Sequence, residues 1–333
     1  MAIPNLPDVS VTIKDGALGS TAGLGTDRCA VVGTCTKGTA NTVYEFTDLQ
    51  TLRDTLGTSV SGGPAVEAAA LILAVSGKPV IVVPTTNATA GSVGTVTLAG
   101  TGPDPGATFT GTPLDGYSIK IKMTLGGSRG TARFRVAFDA DNPAGPTYGD
   151  EIVTAATVST YATDTGLTIA FAVGTYVIND TYTATCVAPA YTNTNLNTAL
   201  TALAADARAW RFVFAVGEAS AVSGSATMAS SLDTFLTAQA TAHRDAWGLI
   251  QCASDTDANI IAGFSSFSSK RVAVAAGFAS VTSVISGRAF SRGAAWPAAL
   301  AYSTRTCSSS SSTAAPMASS AAMPHLPARL SSC

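Results

Sequence analysis

Two stretches of this chain, residues 28–84 and 195–277, alternate strand-like with helix-like segments, and about a hundred residues without a helix signal divide them. In the first stretch, "RCAVVGTC" (28–35) is a continuous apolar run ending near a glycine, as expected of a strand buried on both faces. "TDLQTLRDTLG" (47–57) reads as a helix capped by Thr47, with Leu49, Leu52 and Leu56 on one face and Gly57 closing it. "GGPAVEAAALILAVSGKPVIVVP" places Pro64 at a helix N-terminus, stops that helix at Gly77 and follows it with a strand from Val80 to Val83. In the second stretch, helices over 195–207 and 226–243, and one capped by Asp255 or Asp257, alternate with strands at 210–217, 246–252 and 271–277. The expectation is an α/β fold: a mostly parallel open sheet of five strands, whose sequence comes from both sides of an interruption.

The interrupting residues have another character. "GTVTLAG", "YSIKIKM", "ARFRVAFD", "GLTIAFAVGTYV" and "DTYTATCVA" alternate apolar and polar residues, and Gly126-Gly127 and Asp139–Asn142 read as turns. The expected organisation is therefore an N-terminal arm and hinge (1–25), a discontinuous α/β domain (26–84 and 191–302), an inserted all-β domain (85–190) and a tail (303–333). That tail is rich in Ser, Ala and Pro, lacks periodicity, and is expected to be disordered.

The arm carries a single strand. Val9, Val11 and Ile13 fall on one side of an extended chain, and a flexible hinge containing Gly16, Gly19, Gly23 and Gly25 follows. Burying the three apolar side chains gains about 5–8 kcal/mol. Ordering the six residues costs about 6–12 kcal/mol, and ladder hydrogen bonds return roughly 0.5–1.5 kcal/mol each. The balance is near zero. Such a strand docks on a sheet edge only where other contacts already hold the edge nearby.

The chain is 46% hydrophobic and only 12% charged, which suits a surface covered by other copies of the same chain and equally an adhesive β-protein. Residues 1–257 hold all 21 acids and 13 of the 19 bases, net −8, whereas six bases and no acid follow. Lys270, Arg271, Arg288 and Arg292 in that basic end form a candidate contact surface for the acidic body of a neighbour or for nucleic acid. The bases are scattered and lack interleaved aromatics, so direct nucleic-acid binding is not expected. No secretory signal or membrane span is expected, and Cys29, Cys186 and Cys252 read as buried reduced thiols.

Motifs of catalysis are sparse. Of the two histidines, His243 ends a helix and His325 lies in the tail, so no catalytic or metal set is expected. "GLGTDR" (23–28) precedes the first strand rather than following it, and Lys37 in "GTCTKGTAN" (33–41) is a weak nucleotide signal. "DADN" (139–142) lacks the ligand series of a calcium loop and reads as a turn. The expectation is a non-enzyme without cofactor.

Four segments carry a resemblance: "DGALG" at the end of the arm, "CAVVGTCTKG", "DLQTLRDTLG" with the helix–strand unit after it, and "SGRAFSRGAAWPAALA" (286–301). Together they resemble the tail sheath proteins of contractile-tailed bacteriophages, over roughly residues 5–302. The resemblance implies hexameric rings stacked helically around an inner tail tube, with arms exchanging strands between subunits and a sheath that contracts during DNA delivery. The implied partners are other copies of the chain, the tail tube protein, and baseplate and tail terminator proteins. It implies assembly in the host bacterial cytoplasm and a final place in the virion tail. The sheath family continues past "AAWPAA" into a further structured segment, whereas this sequence turns serine-rich from Ser303; a truncation or frameshift and a native tail both produce that change. An alternative class is a virion or cell-surface adhesion protein that binds glycan through 85–190, using Tyr117, Tyr148, Tyr161, Tyr176 or Tyr182.

Overall fold

The computed structural model describes residues 28–57, 63–101, 105–156, 160–163, 165–217, 221–253 and 255–304. The chain enters with β1 (Cys29–Gly33), β2 (Tyr44–Phe46), α1 (Leu49–Leu56), α2 (Pro64–Ser76) and β3 (Val80–Pro84). Helix α1 begins after Asp48, not Thr47: the Asp48 carboxylate accepts from Thr51 N at 2.8 Å and satisfies one of the orphan amides of the first turn. Helix α2 is buried from Pro64 to Leu73, which explains why "PAVEAAALIL" has no polar face. It ends where Gly77 adopts φ 63°, a left-handed cap that its lack of a Cβ permits.

From β3 the chain runs through short strands: β4 (Ser92–Val93), β5 (Thr97–Ala99), β6 (Ala107–Gly111), β7 (Tyr117–Leu125), β8 (Gly127–Ser128) and β9 (Arg133–Ala137). It continues with β10 (Ile152–Val153), β11 (Thr160–Ala162), β12 (Leu167–Phe171), β13 (Thr175–Tyr176) and β14 (Thr181–Val187). One sheet has the order β10-β9-β7-β14-β4, with β5 also on β14, and a second the order β11-β12-β6. Inward residues alternate along β7 (Tyr117, Ile119, Ile121, Met123) and meet Leu167, Ile169 and Phe171 of β12 in one apolar core. Each such side chain gains roughly 1.5–3 kcal/mol on burial. This segment leaves and rejoins the rest of the chain side by side, since Thr89 and Ala190 form an antiparallel bridge.

The remaining elements are α3 (Asn193–Ala205), β15 (Phe212–Ala215), α4 (Val222–Thr241), β16 (Trp247–Gln251), α5 (Asp257–Gly263), β17 (Val272–Ala275), β18 (Phe278–Thr282), β19 (Ala289–Gly293) and α6 (Ala295–Thr304). Thr192 caps α3 in a reciprocal pair with Asn195. Thr256, rather than Asp255 or Asp257, caps α5. The main sheet has the order β17-β16-β15-β1-β3-β2. Neighbours are parallel from β17 to β3, and β2 pairs antiparallel with β3. One face buries Val31, Val82, Phe214 and Leu249 under α1, α2 and α6, and the other buries Val32, Ile81, Val213 and Ile250 under α3 and α4.

An α/β fold built on a mostly parallel open sheet therefore does not describe the molecule. Of the five sheets among the described residues, four contain only antiparallel pairs and the fifth ends on an antiparallel edge strand. The fold is mixed α/β with mostly antiparallel sheets. Parallel neighbours need a long crossover, and in the main sheet helices supply it. Between β3 and α3 the described residues contain no helix, and strands there pair antiparallel whether near in sequence (β11 with β12) or far apart (β6 with β12, β7 with β14), while β18 and β19 are joined by a short turn.

Candidate functional site

The residues of "SGRAFSRGAAWPAALA" include β19 and the start of α6, and one charged side chain among them, Arg292, is buried. Arg292 is 8% exposed and grips Asp115, in the loop before β7, with both terminal nitrogens: Nη1 to Oδ1 at 2.8 Å and Nη2 to Oδ2 at 2.7 Å. Nη1 also donates to Gly116 O at 3.1 Å. The guanidinium lies 4.9 Å from the ring centre of Trp296 and 5.0 Å from that of Phe290, so its faces are covered by aromatic rings as its edge is by carboxylate. The next residue, Gly293, leaves room for the Gln251 side chain, which a methyl group at 293 would strike. Gln251 donates Nε2 to Cys252 O at 2.9 Å and to Gly277 O at 3.2 Å, and accepts the Ala295 amide at 2.8 Å, filling the place of a cap on α6.

Beside this pair stands a second buried acid. Glu67, in the first turn of α2, is 3% exposed and accepts from Ser283 Oγ at 2.8 Å. Ser283 Oγ in turn accepts the amides of Ile285 and Ser286 at 3.1 and 3.0 Å, so its own hydrogen is committed to Glu67. Burial first, and the nearby Asp115 second, push the Glu67 carboxyl up to about 7 against the opposing pull of Arg292. Gly63 caps α2 at φ 89°, where a side chain would be strained and would crowd Thr34 O at 3.1 Å; the Leu114 carbonyl also packs there. These residues join three parts of the chain: α2, the loop before β7, and the β18–β19 hairpin with α6.

A different kind of site is the edge of the main sheet. Strand β2 is short, and its Glu45 pairs with Arg28 at 3.2 Å. Strand β17, of sequence VAVA, carries no charge, and among the described residues no strand pairs with its outer side. Its flanking elements leave Ile261 of α5 72% exposed and Phe278 of β18 55% exposed. An uncharged open edge is a template for strand addition.

Of the residues singled out in the sequence, Val9, Val11, Ile13, Gly16, Gly19, Gly23 and Gly25 lie outside the described residues. Lys270 is exposed, Arg271 pairs with Asp245 at 2.9 Å, and the Arg288 guanidinium lies 5.0 Å from the Phe138 ring centre. The contact surface expected of these four bases must lose Arg292: its charge is spent inside the molecule on Asp115. Asp139 organises the "DADN" turn by accepting the Thr147 amide at 2.8 Å. Tyr117, Tyr176 and Tyr182 belong to the β core, whereas Tyr161 is exposed and Tyr148 half-buried. Among the described residues no group of three or more His, Cys, Asp or Glu side chains could hold a metal ion, and no helix is long and apolar enough to cross a membrane. Sequence reasoning missed Glu67, Asp115, Ser283 and Gln251. Glu67 left a trace: a lone charge in an otherwise apolar helix has to find a buried partner.

The family model described as DUF2586, N-terminal domain, matches residues 6–296. The chain belongs to the DUF2586 family. No curated protein matches the sequence. Among solved structures, this DUF2586 chain is similar to the sheath tail protein of Listeria innocua at 13% identity and a TM-score of 0.28, over 68% of this chain. It spans 48% of the length of that protein.

Proposed function

We propose that this DUF2586 protein is a structural subunit of a contractile phage tail: a sheath protein that polymerises around the tail tube and shortens during DNA delivery. The observation that carries this reading is the edge of β17, on whose outer side no strand pairs among the described residues. The sequence offers Val9, Val11 and Ile13 on one side of a segment too weak to stand alone, and β17 offers an uncharged edge flanked by exposed Ile261 and Phe278. An arm from one subunit added to β17 of the next would link copies while the glycine-rich hinge lets their bodies move. The family resemblance of "CAVVGTCTKG", "DLQTLRDTLG" and "SGRAFSRGAAWPAALA" supports the same reading. On it, the partners are other copies of this chain, the tube protein, and the baseplate and terminator proteins. The place is the virion tail, and the role is mechanical rather than catalytic.

Negative-stain microscopy of concentrated full-length protein tests it. Rings or tubes are expected. Monomers that persist at every concentration, with or without added tube protein, sink the reading.

A further inference from the structure

One guanidinium is paired with a buried carboxylate and shares a cavity with a second from another part of the fold. Arg292 on β19 and Glu67 on α2 line a shared cavity of ≈ 10 Å³ with Leu71, Ser283, Phe290 and Trp296, about the room that one water needs. Asp115 reaches the same guanidinium from the β-rich segment. With Glu67 neutral, one cation meets one anion and the fork of Arg292 is committed to Asp115. With Glu67 ionised, two carboxylates compete for a single cation where water screens them poorly.

The charged groups that act on Glu67 are Asp115 from the loop before β7, Arg292 from β19 and Arg53 from α1; α2 itself carries no other charge. Asp141 acts on Arg292 from the turn after β9. Burial and Asp115 outweigh Arg292, the Ser283 hydroxyl and Arg53, and bring the titration of Glu67 to about pH 7. Ser283 tolerates either state, because it needs only an acceptor and both the acid and the carboxylate supply one.

We propose that Glu67 is a proton-operated latch: protonated, it leaves Arg292 to Asp115 and holds the β-rich segment against α2, and ionised, it draws Arg292 away and loosens that docking. The latch stands on these contacts alone and is independent of the assembly proposed above.

Amide hydrogen exchange of the full chain, followed by mass spectrometry on peptides covering residues 112–118, tests it. After correction for intrinsic rates, wild type is expected to protect this loop at least about tenfold more at about pH 5.5 than at about pH 8.5, tenfold being the equivalent of one pKa unit. Glu67→Gln keeps a carbonyl acceptor for Ser283 and cannot ionise. It is expected to show the acid-form protection at both pH values. Equal protection of wild type at both pH values overturns the proposal, as does a pH dependence in Glu67→Gln as large as in wild type. Should that variant fail to fold, a ¹³C titration of the wild-type carboxyl decides. A midpoint near 7 that coincides with loss of protection supports the latch, and one near the ordinary 4.5 overturns it.

Discussion

The Gln251 carboxamide oxygen accepts the Ala295 amide at 2.8 Å, joining the end of β16 to the start of α6 across 44 residues of sequence. Its nitrogen is held by two carbonyls, so the side chain cannot swing aside. Gly293→Ala would drive a methyl group into it, and the expected cost is about 1–3 kcal/mol, the range for overpacking a core. Urea unfolding measures this; a loss below about 0.5 kcal/mol would mean that Gln251 relaxes freely.

The Arg292–Asp115 pair yields a second expectation. Removing one partner strands the other charge in the interior, so Asp115→Ala and Arg292→Ala should each destabilise by about 3–5 kcal/mol. The double variant should lose clearly less than the two losses combined, because the residues act as a unit. A thermodynamic cycle from denaturant melts reads the coupling directly, and additive losses would show that the contact contributes little beyond its packing.

Stability should fall from acid to neutral pH. The folded-state pKa of Glu67, about 7, lies above its ordinary value of 4.5, so folding favours the protonated acid. That contribution is complete below about pH 4.5 and is lost as pH rises through about 7, amounting to about 3 kcal/mol at 1.36 per unit. Melts across this window should show the decline in wild type and a flatter profile in Glu67→Gln.

Much of the element order was legible because a strand buried on both faces needs an unbroken apolar run. "CAVVG" and "VIVVP" are such runs, and they pair in register from Cys29↔Val80 to Gly33↔Pro84. Alternation likewise exposed β7 and β14. What sequence could not supply was the overall balance of pairing. Strand β2 has three residues, and "FASVT" and "AFSRG" lack strong periodicity; they become β18 and β19 by pairing with each other. The site was less legible still. A basic C-terminal stretch looks like a surface, and only the fold brings Asp115 to Arg292 across 177 residues and Ser283 to Glu67 across 216.

Assembly supplies the last expectation. Val11→Asp and Ile261→Asp should each change the melting of the single subunit by no more than about 0.5 kcal/mol while lowering ring or tube formation. Sedimentation at rising concentration separates the two effects. A large loss of subunit stability in Val11→Asp would mean that the strand pairs within its own chain.

The bridge between Thr89 and Ala190 means that both chain connections of the segment from β4 to β14 pass through one place. A module attached in this way can be enlarged, trimmed or exchanged without re-threading the sheet that carries it, much as a lampshade can be changed on a fixed bracket. Among the described residues, the cross-braces that such an exchange would sever are the hold of Arg292 on Asp115 and Gly116, the seat of Arg288 over Phe138, and the packing of Phe290 in the β core.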